Sequence, residues 1–262
     1  MAMPFFKYQA TGNDFIMIDD RQARFDLDRQ AYIARLCDRR FGIGADGLIL
    51  LRQRPGFDFQ MVYFNADGRE GTFCGNGGRA TVKFAHSLGL FNDTTHFIAA
   101  DGPHKARVLP NGQVVLHMGD VAEISPVLNG FFLNTGSPHY VLQVEVLDQY
   151  PVFEQGKALR YHEAFAPKGT NVNFIAPKQG SALQVRTYER GVEDETYSCG
   201  TGVTAAALVA ARMGYQSPVT VETKGGTLEV GFRETDGAFT AITLAGPALE
   251  VFTGTLPEHP LQ

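Results

Sequence analysis

Two stretches, Cys74-Gly75-Asn76-Gly77-Gly78 and Cys199-Gly200-Thr201-Gly202-Val203, carry one pattern at an interval of 125 residues (199 − 74). Each opens a segment of helical character that stops at a glycine fifteen positions after the cysteine, Gly89 in the first copy and Gly214 in the second (89 − 74 and 214 − 199). Packing alone does not call for cysteines at two equivalent helix starts. The pair predicts a duplicated chain, with a site between related halves and a thiol facing in from each side.

The repeat extends outward from the cysteines. Met61-Val62-Tyr63-Phe64-Asn65 matches Arg186-Thr187-Tyr188-Glu189-Arg190 at the same interval of 125 (186 − 61), and both read as strands ending in polar residues. Further upstream, Ala10-Thr11-Gly12-Asn13 matches Asn134-Thr135-Gly136-Ser137 at an interval of 124 (134 − 10), a register one residue different. Downstream, the pattern predicts hairpins of Phe97–Ala100 with Val114–Leu116 and of Val219–Val221 with Ala241–Leu244, with turn signals at Asn111-Gly112 and Asp236-Gly237. With an early helix over Arg29–Cys37, the expectation is an α+β fold. Each of two pseudo-symmetric domains is a central helix wrapped by mostly antiparallel or mixed strands. The halves are placed at residues 1–124 and 125–249, with a boundary near 123–128, and the last strand-like run, about 250–262, returns to the first half. The alanine-rich Val203–Arg212 segment is apolar on nearly every face and is expected to be buried, whereas Arg79–Ser87, with Lys83 and His86, is expected to be more exposed.

Composition narrows the class. The 262 residues are 44% hydrophobic with a net charge of −5 and no basic run, which argues against nucleic acid or an anionic membrane as partner. No apolar stretch approaches the roughly 18 residues of a membrane span. The segment MAMPFFKYQATGNDF lacks the pattern of a signal peptide. Three dispersed cysteines (Cys37, Cys74, Cys199) do not make a disulfide scaffold, so a cytoplasmic location is expected.

A cysteine at a helix start feels the positive end of the macrodipole, which favours the thiolate. The glycines after it let backbone N–H groups approach an anion closely. Two such starts around one small carboxylate would set a thiol on each face of its α-carbon. That suits inversion of a stereocentre: a thiolate removes a proton from one face, and a thiol delivers another to the opposite face. Thiols suit both roles, with an ordinary pKa of about 8.5. The competing readings are two small buried residues, or a redox pair that closes a disulfide.

These residues resemble the diaminopimelate epimerase family. The first-cysteine motif stands as Asn65-Ala66-Asp67-Gly68-Arg69 and Cys74-Gly75-Asn76-Gly77-Gly78-Arg79, with arginine at 69 in place of the family's serine. The second stands as Tyr188-Glu189-Arg190-Gly191 and Cys199-Gly200-Thr201-Gly202. Gly12-Asn13-Asp14-Phe15, Gly42-Ile43-Gly44-Ala45-Asp46-Gly47 and Asn171-Val172-Asn173-Phe174 also look like family segments, so the resemblance covers most of the chain. It implies interconversion of LL- and meso-diaminopimelate without pyridoxal phosphate, other cofactor or metal. By resemblance, Cys74 and Cys199 are the acid/base pair. Asn13, Gly75, Asn76, Gly200 and Thr201 surround the reacting end. Asn65, Asn171, Glu189 and Arg190 hold the distal amino-acid end, and His139, together with Glu189, tunes a cysteine. Ser137 and Gly47 stand where many or some members carry asparagine and glutamine, which bears on substrate choice.

Each residue also has a plainer reading. Asn65 and Asn171 cap turns in isolation, Glu189-Arg190 alone reads as a surface ion pair, and His139 alone reads as structural. The other histidines lack metal-ligand spacing, and Cys37 reads as a packing residue. Asp19-Asp20 and Glu193-Asp194-Glu195 read as solvated loop charges. The expected partner is a small amino-acid substrate, with a homodimer left open. A proline- or histidine-type racemase, and a binding or redox-sensing protein that does not turn over, remain the alternatives.

Overall fold

The computed structural model describes residues 3–178 and 182–256. The chain divides into two units, one running to Leu116 and taking up the residues from Pro247 on, the other spanning His117–Gly246. The division falls before the boundary expected near 123–128. Met118 N–H donates to the Ile242 carbonyl (2.8 Å), and Val121 exchanges backbone bonds with Phe239, so these residues already belong to the second unit.

The first unit opens with strands β1 (Met3–Ala10) and β2 (Asn13–Asp19). Thr11 and Gly12, both at positive φ (47° and 92°), make the two-residue turn between them. Helix α1 (Gln30–Cys37) follows, and then β3 (Gly47–Arg52), parallel to β2, and β4 (Gln60–Asn65), antiparallel to β3. Helix α2 (Gly75–Ser87) comes next, then β5 (Thr94–Ala99), β6 (Gly102–Val108) and β7 (Val114–His117). β6 lies between β5 and β7, so the expected two-stranded hairpin is a three-stranded meander. The alternating pattern GPHKARV leaves β6 few buried side chains, which is why hydrophobicity missed it.

The second unit repeats the order. Strand β8 (Ser125–Val127) pairs with β9 (Gly130–Asn134), and β9 with β10 (Pro138–Gln143). The β9–β10 turn holds three residues, 135–137, where the β1–β2 turn holds two, which accounts for the one-residue register change read in the sequence. Helix α3 (Val152–Arg160) is followed by β11 (Asn171–Pro177), parallel to β10, and by β12 (Leu183–Glu189). Short strand β13 (Asp194–Thr196) and helix α4 (Gly200–Arg212) lead to the meander β14 (Val219–Thr223), β15 (Gly226–Thr235) and β16 (Ala238–Gly246). Here too the middle strand separates the two expected to pair. The last strand, β17 (Leu249–Leu256), runs antiparallel to β1.

Both Cys-headed helices are thirteen residues long and begin at corresponding glycines, Gly75 and Gly200. Glycine costs about 1 kcal/mol relative to alanine inside a helix, so burial has to hold these starts in place. Val203–Ala210 is buried throughout, against Val141, Ile175, Val185, Val221 and Leu244. Helix α2 is more buried than its sequence suggests. Arg79 is 0% exposed, and the outer face is confined to Lys83, His86 and Ser87.

Candidate active site

In α2 and α4 the cysteine is the N-cap, in extended backbone, with its carbonyl accepting from the N–H four residues on: Gly78 to Cys74 (2.7 Å) and Val203 to Cys199 (2.8 Å). The N–H groups of residues 75–77 and 200–202 precede the first intrahelical acceptors and form the donor-rich start that an anion seeks. Cys74 is half-buried and Cys199 buried. A Cβ at Gly202 would stand 2.4 Å from Asn173 Oδ1, so only glycine lets α4 approach β11 this closely.

In the second unit a chain of hydrogen bonds ends on Cys199. Thr187 Oγ1 donates to Asn173 Oδ1 (3.0 Å), and Asn173 Nδ2 lies 3.2 Å from the Tyr140 carbonyl and 3.1 Å from His139 Nδ1. An amide N–H facing Nδ1 makes that nitrogen the acceptor, which leaves the ring proton on Nε2. Nε2 then donates to Thr201 Oγ1 at 2.9 Å, and the Thr201 hydroxyl lies 3.5 Å from Cys199 Sγ, donating to a thiolate there or accepting from a thiol. His139 is fully buried. Burial pushes its imidazole down to about 3, the Arg190 cation adds to this, and the Asn173 bond opposes it. The ring is therefore neutral where thiols titrate.

The first unit builds a different chain. Asn13 Nδ2 donates to Asp46 Oδ2 (2.9 Å), and Asn13 Oδ1 accepts from Asn76 Nδ2. Asn76 Oδ1 accepts from Arg79 Nη2 (2.8 Å), which also donates to Thr11 Oγ1 (2.9 Å). Asp46 is held by Arg39, which grips Asp14 as well. Burial pushes the Asp14 carboxyl up, but the Arg39 and Lys7 cations outweigh it and hold the group at about 2.

Asn171 is 4% exposed, and its amide is spoken for: Oδ1 accepts from the Arg190 backbone N–H (2.9 Å) and Nδ2 donates to the Pro138 carbonyl (2.9 Å). It thereby anchors the turn that carries Glu189 and Arg190, both partly exposed at the end of β12. Asn65 is exposed at the end of β4. The strand ladders correct one match. Asn65 lies opposite Gly47, whereas the residue opposite Val172, the equivalent of Gly47, is Tyr188. Strand β12 runs on beyond the end of β4, so Asn65 and Arg190 are not ladder equivalents. At Gly47 a Cβ would meet the Phe64 carbonyl and the Tyr63 ring, each at 2.4 Å, so the ring fills the space that a longer side chain at 47 would need. Ser137 is partly buried, its carbonyl accepting from Thr135 N–H (3.2 Å).

Two charge clusters expected in solvent are structural. Asp20 is 2% exposed and accepts from Arg52 Nε (2.7 Å) and from the N–H groups of Arg24 and Phe25. Glu195 is bridged by Arg186 (2.6 and 2.8 Å) and Lys224 (2.8 Å), and Glu193 by Arg160 and Tyr161. Their partners lie far off in sequence or are hidden in strand patterns. Thr11, Asp46, Arg79 and Asn173 lie within the motifs without a task legible there, because only the fold shows which polar groups they meet. Among the described residues no group of three or more His, Cys, Asp or Glu could hold a metal, and no helix is long and apolar enough to cross a membrane.

The chain matches a family model described as diaminopimelate epimerase over residues 5–124 and 131–249. It is 47% identical over 256 residues to a diaminopimelate epimerase of Flavobacterium psychrophilum, covering 97% of this chain and 100% of that protein. A diaminopimelate epimerase of Chlorobaculum tepidum is 46% identical over 255 residues, covering 94% and 98%. Among solved structures, the fold is similar to a phenazine biosynthesis protein of the PhzF family from Bacillus anthracis (TM-score 0.78, 15% identity, 98% and 99% covered). It is also similar to a hydroxyproline epimerase from Agrobacterium vitis (TM-score 0.68, 14% identity, 97% and 92% covered).

Proposed function

The chain belongs to the diaminopimelate epimerase family and is an isomerase of that kind, and from this premise we propose that Cys74 and Cys199 invert one α-carbon of LL-diaminopimelate to give the meso form. The observation that carries the reading is the pair of cysteine-capped helix starts at matching positions of two like units. In one direction a thiolate takes the α-proton and becomes a thiol, while the other thiol gives its proton to the opposite face and becomes a thiolate. The reverse direction exchanges the roles. The N–H groups of Gly75, Asn76, Gly200 and Thr201 stabilise the α-carboxylate as carbanion charge spreads onto it, at about 3–4 kcal/mol for a well-placed donor. Asn13 acts with Asn76 at this end. Arg190 clamps the distal carboxylate and Glu189 accepts from the distal ammonium, with Asn65 beside them and Asn171 steadying the Arg190 backbone. His139, held neutral, acts through Thr201 on Cys199. A thiol pair of this kind supports a cytoplasmic location, where thiols stay reduced.

The test is turnover of LL-diaminopimelate in D2O under reductant, read by chiral chromatography and mass. One solvent deuteron should enter at the inverted carbon. No deuterium with LL- or meso-diaminopimelate would sink the proposal, and uptake with proline or histidine instead would move the chain to a racemase. Cys74→Ser and Cys199→Ser should each slow inversion at least a hundredfold, and near wild-type inversion by either would refute the two-thiol mechanism.

A further inference from the structure

The two cysteine motifs are entered differently. Phe73 precedes the first cysteine and Ser198 the second (198 − 73 = 125), and four residues after each cysteine stand Gly78 and Val203 (203 − 78 = 125). The Phe73 ring lies against the first turn of α2. A Cβ at Gly78 would stand 2.7 Å from its Cζ and 2.8 Å from its Cε2, so glycine lets the ring settle on bare backbone. An apolar residue ahead of an N-cap commonly packs on the fourth residue after it and fixes how the chain enters the helix. Phe73 is also stacked on His104, with ring centroids 4.0 Å apart and planes 18° from parallel. His104 sits directly opposite Phe97 on the β5–β6 ladder, their rings 5.3 Å apart and 24° from parallel. The fully buried Phe97 stacks in turn on Phe59 (4.9 Å, 11°). Asp101 Oδ1 accepts from His104 Nε2 (2.8 Å) and holds the imidazole in its plane. Four stacked rings therefore connect the sheet to the residue next to Cys74.

We propose that His104 is a positioning residue: through the Phe73 ring it fixes the N-cap backbone from which the Cys74 thiol projects, and so sets the sulfur for proton transfer at the α-carbon. The inference rests on the two-thiol reading above. His104 touches no reacting atom. Proton transfer depends steeply on where the sulfur lies, and a displacement of about 1 Å can cost about a hundredfold in rate. The N–H groups of Gly75 and Asn76 belong to a helix start that is itself buried. Grip on the carboxylate should therefore suffer less than the chemistry when the stack is broken. The same geometry separates the two thiols. The stack lies in the first unit and reaches Cys74 through its neighbour in the chain, whereas position 198 carries a serine and position 203 a valine.

Steady-state inversion of LL-diaminopimelate under reductant tests the proposal, together with iodoacetamide labelling resolved by peptide mass. His104→Ala should lower kcat about tenfold or more while KM stays within about twofold. It should shift the labelling rate of Cys74 about threefold or more and leave that of Cys199 unchanged. His104→Phe keeps a flat ring in the stack and should restore most of kcat. Phe73→Ala should show the same loss, and the double variant no further loss, because His104 acts through that ring. Wild-type kcat in His104→Ala would overturn the inference, as would His104→Phe as slow as His104→Ala, or a double variant whose loss is the product of the single losses. Labelling of Cys74 that stays put, or moves equally with that of Cys199, would overturn it too. Cys37 monitors folding, since burial pushes its thiol up to about 12 and it should label only in unfolded protein. If His104→Ala labels at Cys37, His104→Leu takes its place, and a kcat equal to that of His104→Phe would then overturn the inference. Full inversion activity in Cys74→Ser would instead bring down the two-thiol reading itself.

Discussion

At the scale of single residues, hydrogen bonds next to Cys199 fix where protons sit. Asn173 settles which nitrogen of His139 carries the proton, and that choice leaves the Thr201 hydroxyl proton available to a Cys199 thiolate. A hydrogen bond to a charged group contributes about 1.5–3 kcal/mol, so Thr201→Val should lower kcat between about ten- and 150-fold while Thr201→Ser keeps most of it. Equal rates for the two variants would show that the hydroxyl does not support the thiolate. The buried imidazole has a second consequence. Its folded-state pKa of about 3 lies below the unfolded value, so the unfolded chain binds the extra proton as pH falls below 6.5. Stability is therefore lost on acidification, by about 1.4 kcal/mol per pH unit from this group once the unfolded histidine is protonated. Urea melts between pH 6 and 5 should show a shallower decline in His139→Gln than in wild type, and parallel slopes would contradict the assignment. None of this is visible in the bare sequence, where His139 and Asn173 are 34 residues apart.

At the scale of elements, each Cys-headed helix is a buried rod whose start has to sit close against a strand. The two starts differ in how much room they leave. A Cβ at Gly202 meets Asn173 Oδ1 at 2.4 Å, whereas one at Gly77 meets the ends of the Ile49 and Met61 side chains at 3.2 Å. Gly202→Ala should therefore cost about 1–3 kcal/mol in urea melts and disturb the Asn173–His139 bond, with a drop in turnover, while Gly77→Ala should cost less on both counts. The reverse order would mean that α4 shifts freely along β11. Both helices were legible because their glycines, cysteines and stop signals are local. Strands β6 and β15 were not, because charged residues along them obscure the buried face. The end of β12 was misjudged by two residues for a related reason: equal spacing to the cysteine hides a longer strand followed by a different turn.

At the scale of the whole molecule, duplication leaves the first unit relying on a strand from beyond its own run of elements, whereas the second unit opens with its own short strand β8. β8 follows the first meander and pairs with β9, and β17 follows the second meander and pairs with β1. The two are not equal in weight, since β8 has three residues and β17 has eight. Leu256 is 4% exposed in the cluster of Phe5, Ile18, Phe25 and Val62, and the Phe252 ring meets Phe5 edge-on at 6.1 Å. Leu256→Ala should cost about 2–5 kcal/mol, the usual range for a buried leucine. Removing the whole strand does more, because it bares the edge of β1 as well as opening the core. Residues 3–116 expressed alone should therefore fail to show a cooperative urea transition, and adding residues 247–262, as a peptide or through a flexible linker, should restore one. A cooperative melt by the short fragment alone would show that the first unit closes its core without β17. It would also make the return of β17 an ornament of the duplication, where the packing of Leu256 says that it holds the unit together.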